Sequence, residues 1–228
     1  MIDKTTHNDR SYTVPKVSRD GTAEAIFLAF LATAGLFYVN LGGAFLSAFV
    51  DGLGISRESA GYITSANKYG AAFGALFATF LVKNVPWRKS AFLTLVALIS
   101  VDLVSFFLTN VTTLVLVRFT HGSIGGFLVG LGFSIIAKTR SPDRVFGMLV
   151  AIQYTFGSVA IFTVPKLVES FGPGAAFGAL ILFSLVTMTM LPFIPTYSDD
   201  EEGAVTTESQ EPPEPALSRG LLFPASLA

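Results

Sequence analysis

The sequence predicts an all-α membrane protein built around six transmembrane helices, and three observations carry that reading. Hydrophobic residues fill 51% of the 228 positions and charged residues only 14%, little more than half the share a water-facing domain carries. Mean hydropathy is +0.62, so surplus apolar surface belongs against lipid. The apolar residues also gather into six stretches, each near the ~20 residues a helix needs to cross a bilayer.

Residues 1–23 form a polar leader in which Lys4, Arg10, Lys16 and Arg19 stand among Thr, Ser and Asp. The apolar run behind it is too long for a cleaved signal and reads as a retained anchor. The predicted bundle covers 24–194, with spans at about 25–49, 59–82, 90–108, 113–137, 145–164 and 174–193. Turn formers and helix breakers separate them, among them Asp51-Gly52-Leu53-Gly54, Asn84-Val85-Pro86, Ser141-Pro142-Asp143 and Gly172-Pro173-Gly174. Such short loops make consecutive helices antiparallel neighbours. An acidic, Pro-rich linker at 195–219, with Asp199-Asp200-Glu201-Glu202, follows as a flexible tether. At 220–228 a seventh apolar stretch opens at Leu221-Leu222-Phe223. Half a span would leave backbone groups unpaired in hydrocarbon, so the chain is expected to be the front part of a larger membrane protein.

Loop charge sets the expected orientation. The leader, the second loop (Lys83, Arg88, Lys89) and the fourth (Lys138, Arg140, Arg144) are basic, whereas the first has only Arg57, the third none and the fifth only Lys166. The positive-inside rule then places the N-terminus and the acidic linker in the cytoplasm of a multi-pass cell-membrane protein. The composition also excludes function classes. A net charge of −1 gives no basic face for nucleic acid. The chain has no cysteine, and its two histidines are His7 in the leader and His121, so no metal site or cofactor is expected. No nucleophile–base pair stands out either, so the chain is not read as an enzyme.

Ionisable groups inside a span cost at least ~2.5–3.5 kcal/mol and are functional candidates by default. Lys68, Asp102 and Arg118 fall about 13, 9 and 7 Å below the outer face at ~1.5 Å rise per residue. Asp102 is expected to pair with Arg118 or with Lys68, leaving one net positive charge in the core. Arg118 near a helix end has the alternative of snorkelling to the interface. Gly70 and Gly74, and the row Gly122, Gly126 and Gly130, put small residues on one helix face at i, i+4 spacing. They allow close helix packing; in the fourth span they would equally well make room for a substrate. Asn40, Gln153 and Tyr154 are mid-span polar groups with two open uses, bonding a neighbouring helix or orienting a ligand. A faint repeat at three-span spacing matches Gly42-Gly43 with Gly125-Gly126, and Lys68-Tyr69 with Gln153-Tyr154, as in transporters with inverted halves.

Arg118-Phe119-Thr120-His121-Gly122 resembles the Arg-x-x-Gln-Gly signature in the fourth span of the major facilitator superfamily, with His121 in place of glutamine. The second loop resembles that family's basic loop motif in eroded form: Arg88 and Lys89 match its end, while Asn84 replaces its Asp. The family's antiporter glycine-proline signature in the fifth span is absent; Pro165 has no preceding glycine. The resemblance implies one half of a twelve-helix fold working by alternating access, with the missing C-terminal six-helix half as partner. Asn40, Arg118 and His121 would then face the pathway. His121 either substitutes for glutamine as a hydrogen-bonding group or couples transport to protons, since histidine changes charge near neutral pH. The expected function is secondary transport of a small molecule, with an organic anion preferred because of Lys68 and Arg118. The rivals are a six-helix channel or carrier assembled from identical halves, a non-transporting fragment, and a membrane-embedded enzyme.

Overall fold

Each of the six apolar stretches is helical in the computed structural model, which describes residues 15–197 and contains no strand among them. The leader through residue 14, the acidic linker beyond residue 197 and the apolar stretch at Leu221 lie outside the described residues. The helices are α1 (Thr22–Asn40), α2 (Gly42–Ser47), α3 (Arg57–Leu81), α4 (Trp87–Ser105), α5 (Val111–Ile136), α6 (Pro142–Phe171) and α7 (Gly174–Met190). A π-turn at Ala48–Gly52 extends α2, and 3-10 turns at Val82–Asn84 and Leu191–Phe193 follow α3 and α7.

Four helices are long and apolar enough to cross a membrane: α1, α5, α6, and α7 with its extension to Phe193. The other two have the length but not the composition. Thr64, Ser65, Asn67 and Lys68 interrupt the middle of α3, and α4 carries Arg88, Lys89 and Asp102. By length and composition, four of the six predicted spans are able to cross a membrane.

Local chemistry fixes the helix ends. The hydroxyl of Ser56 accepts from the Ser59 N–H at 3.2 Å at the start of α3, and the Asn110 side chain accepts from the Thr113 N–H at 3.2 Å at the start of α5. Both satisfy N–H groups that a helix start leaves without a partner. Gly54 and Gly172 turn the chain at φ +67° and +82°, where a side chain would be strained. Two boundaries differ from expectation. The first stretch breaks at Leu41 (φ −87°, ψ 6°) before Gly42-Gly43 restart it as α2. The fifth runs on through Pro165 to Phe171, giving 30 residues.

Contacts fix the directions of α1, α3, α4, α5 and α7. Gly35 of α1 meets Gly125 of α5 while Ala32 meets Gly132, so these two run antiparallel. In α3 and α5, Asn67 sits beside Gly122 and Ala78 beside Gly130, so they run parallel. Phe27 and Phe37 of α1 reach Phe193 and Phe183, and Arg88 and Phe106 around α4 reach Leu191 and Phe177, which makes α7 antiparallel to both. α1 lies at the centre of the bundle, where its aromatic residues join a stack with Phe30–Phe183 at 5.2 Å and Phe37–Phe183 at 4.2 Å.

Candidate functional site

The candidate residues fall into two groups. The first is a sealed polar cluster between α3, α4 and α5. Arg118 Nη1 donates to Asp102 Oδ1 at 2.9 Å, and its Nη2 donates to the hydroxyl of Ser105, which in turn bonds the Val101 carbonyl at 2.7 Å. His121 Nε2 lies 3.2 Å from Asp102 Oδ2. Asn67 Nδ2 donates to the Arg118 carbonyl at 3.1 Å and lies 2.9 Å from His121 Nδ1. Arg118 and Asp102 are both 0% exposed.

These bonds fix the imidazole. A carbonyl can only accept, so the Asn67 atom facing Arg118 is the amide nitrogen. Its second hydrogen then meets Nδ1 as an acceptor, leaving the His121 proton on Nε2, aimed at Asp102. The pair Arg118–Asp102 is thus neutral overall and His121 adds no charge. The Arg118 guanidinium also lies 5.0 Å from the Phe177 ring centre and 5.5 Å from that of Tyr38, within cation–π range. Among the described residues the buried Arg118 Nε and Tyr38 hydroxyl have no hydrogen-bond partner.

Of the two partners expected for Asp102, the structure takes Arg118 and leaves Lys68 out. Asp102 pairs with Arg118, not with Lys68, and Arg118 does not snorkel. Lys68 is exposed and forms no hydrogen bond or ion pair among the described residues. The reason is angular. Asn67, Gly70, Gly74 and Ala78 form the stripe of α3 that packs on α5, and the next residue along a helix points about 100° away.

The second group lies at the break in α1. The Asn40 and Gln153 side chains bond each other at 3.2 Å, and Gly157 of α6 packs beside Asn40. The Lys68 ammonium comes within 4.0 Å of the position a Cβ would take at Gly42. The positions matched by the internal repeat, Lys68 and Gln153, therefore approach the Asn40–Gly42 break from α3 and α6. Tyr154 beside them is 70% exposed.

The fourth-span glycines do not line a cavity. A Cβ at Gly122 or Gly126 would strike the carbonyl oxygens of Asn67 and Ala71, and one at Gly130 would strike the Ala78 Cβ. In the second loop Asn84 and Lys89 are exposed, while Arg88 turns back to the end of α7. There it donates to the Pro192 carbonyl at 3.1 Å and to that of Ile194, satisfying carbonyls that a helix end leaves free.

Sequence reasoning missed Asn67, Ser105 and Tyr38. Asn67 shares the i, i+3, i+7 stripe of Gly70 and Gly74, and Ser105 lies three residues after Asp102, so helical spacing held a signal for both. Tyr38 carried none. The described residues include no group of three or more metal-binding side chains. The sequence matches no family model and no curated protein.

Proposed function

We propose that the chain is the N-terminal half of a secondary transporter for small organic anions, crossing a cell membrane six times with its N-terminus in the cytoplasm. The observation that carries this reading is Lys68. It is a cation without a carboxylate partner among the described residues, held on an open face beside a broken helix and the Asn40–Gln153 pair. An unmatched ammonium in apolar surroundings attracts an anion, and paired amide side chains supply the few polar contacts that orient a ligand. Arg118 is neutralised by Asp102 and serves the bundle instead.

Two observations support six crossings over four. α3 lies backbone-to-backbone along α5, itself apolar enough to span, over the stretch from Asn67 to Ala78. α4 delivers Asp102 and Ser105 to Arg118 of that same helix. Arg144 meets Thr22 and Gln153 meets Asn40, so α6 runs parallel to α1, and helix directions alternate as six successive crossings require. The resemblance of Arg118–Gly122 and of the second loop to the major facilitator superfamily makes alternating access the preferred mechanism, with a second six-helix bundle closing the far side of the Lys68 face. In that arrangement His121 is reserved for proton coupling only if Asn67 releases Nδ1.

The test is uptake into vesicles carrying the full protein, against panels of organic anions and organic cations. Anion uptake should fall at least tenfold, about 1.4 kcal/mol, in Lys68→Gln and persist in Lys138→Gln. Uptake of cations and never anions overturns the substrate class. Reading the coding sequence downstream of Ala228 tests the architecture, which requires further apolar spans there.

A further inference from the structure

The first turns of α4 and the 3-10 end of α7 leave an open groove of about 590 Å³ between them. Its floor is apolar, made by Phe92, Leu93, Leu191 and Pro192. Phe92 is 47% and Leu93 65% exposed, so the floor faces outward from the bundle. Its rim carries Lys16 and Lys89, and no acidic side chain lines it among the described residues. Arg88 braces the wall through the carbonyls of Pro192 and Ile194. Lys16 Nζ donates to the neutral Thr196 hydroxyl at 2.6 Å, and Lys89 makes no hydrogen bond or ion pair among the described residues. Among the described residues neither ammonium meets a carboxylate.

We infer that this groove binds an anionic phospholipid, its phosphate between Lys16 and Lys89 and the upper part of one acyl chain along Phe92 and Leu93. The inference rests on the chain spanning a membrane and is independent of what it transports. The two halves of the lining select the ligand together. Two lysines alone would hold any anion, and an apolar floor alone would hold any acyl chain. Only an amphiphile with a negative head uses both. A carboxylate-rich peptide would leave the floor wet, and a soluble anion would leave it untouched. The basic residues at this end place the groove at the cytoplasmic leaflet, where anionic lipids concentrate.

Each lysine near an anionic surface is worth about fivefold in affinity, so removing both costs about 25-fold. The experiment uses the purified full chain in a zwitterionic detergent, with long-chain phosphatidylglycerol and phosphatidylcholine as probes and native mass spectrometry as readout. Wild type should retain one phosphatidylglycerol in preference to phosphatidylcholine. K16Q/K89Q should lose that preference with an unchanged thermal unfolding curve, whereas K83Q/K138Q, on the same end but outside the groove, should keep it. Leu93→Asn should weaken long-chain retention while leaving dihexanoyl-lipid binding unchanged.

Equal loss in K83Q/K138Q would mean a diffuse basic surface and overturn the site. Displacement by inorganic phosphate as effective as by lipid would reduce it to an anion site. Unaltered retention in Leu93→Asn would remove the acyl chain from the groove. Retention appearing only in D199N/D200N/E201Q/E202Q would make the chain's own acidic run the occupant.

Discussion

Asp102 divides its two oxygens between a guanidinium and an imidazole, and that division explains how two opposite charges persist in an apolar bundle. Neither would be tolerable alone: a buried ion pair that loses one partner strands the other, at ~3–5 kcal/mol. Asp102→Asn should therefore destabilise the protein by about that amount. Asp102→Asn combined with Arg118→Met should recover most of the loss, because the stranded charge is removed with its partner. Thermal unfolding in detergent reads both, and a double variant no more stable than Asp102→Asn would show that Asp102 does not compensate Arg118. The sequence revealed these groups because ionisable residues are rare in apolar runs. It did not reveal which cation Asp102 would choose. Depth along the axis made Lys68 and Arg118 equal candidates, and only the angular position of Lys68, one residue off the stripe that faces α5, separates them.

The same stripe governs the elements. Where Gly70, Gly74, Gly122 and Gly126 meet, each glycine rests against a carbonyl of the other helix, so α3 and α5 touch along their backbones with no side chain between them. A glycine inside a helix costs ~1 kcal/mol relative to alanine, and close packing with weak Cα–H···O contacts offsets it. Gly126→Val should then cost at least the ~1–3 kcal/mol typical of overpacking, since the atom it strikes is backbone and cannot swing away. Gly147→Ala should be neutral or stabilising by up to ~1 kcal/mol, because no atom lies within 4 Å of its Cβ position. Detergent-solubilised yield and unfolding temperature check both; equal behaviour of the two variants would dissolve the seam. Small-residue spacing was readable along each helix, but which helix it would face was not. The break at Leu41 escaped notice because apolar residues continue on both sides of Asn40-Leu41-Gly42-Gly43, so the run reads as one span. The extension of α6 escaped because Pro165 reads as a stop: it lacks the N–H and crowds the Ile161 carbonyl, yet the helix continues through it to Phe171.

Across the whole bundle, charge separates by end. Lys16, Arg19, Arg88, Arg140 and Arg144 gather where the described chain starts and finishes: Arg144 donates to the Asp20 carbonyl at 2.9 Å, Arg140 lies 3.6 Å from the Asp20 carboxylate, and Val17 bonds the Phe193 carbonyl at 3.0 Å. The opposite end, where Gly52 meets Pro173 and Phe106 meets Gly174, has no basic excess: Arg57 and Lys166 stand there with Asp51, Glu58 and Glu169. This asymmetry was legible from loop composition alone, because topology depends on which loops are basic and not on how helices pack. What composition could not decide is whether α3 and α4 cross, since their polar residues lower their hydropathy even though Asn67, Asp102 and Ser105 are buried. The absence of native cysteine makes the question answerable with single introduced thiols. Six crossings put Asn84→Cys and Lys138→Cys on the cytoplasmic side, and Thr109→Cys and Ser170→Cys on the other. Four crossings, by α1, α5, α6 and α7, would leave Asn84 on the side of Thr109. A membrane-impermeant maleimide added to intact cells should therefore label Thr109→Cys and Ser170→Cys and spare Asn84→Cys and Lys138→Cys until the membrane is opened. Labelling of Asn84→Cys from outside would take α3 and α4 out of the membrane, and with them the depth at which Lys68 meets an anion.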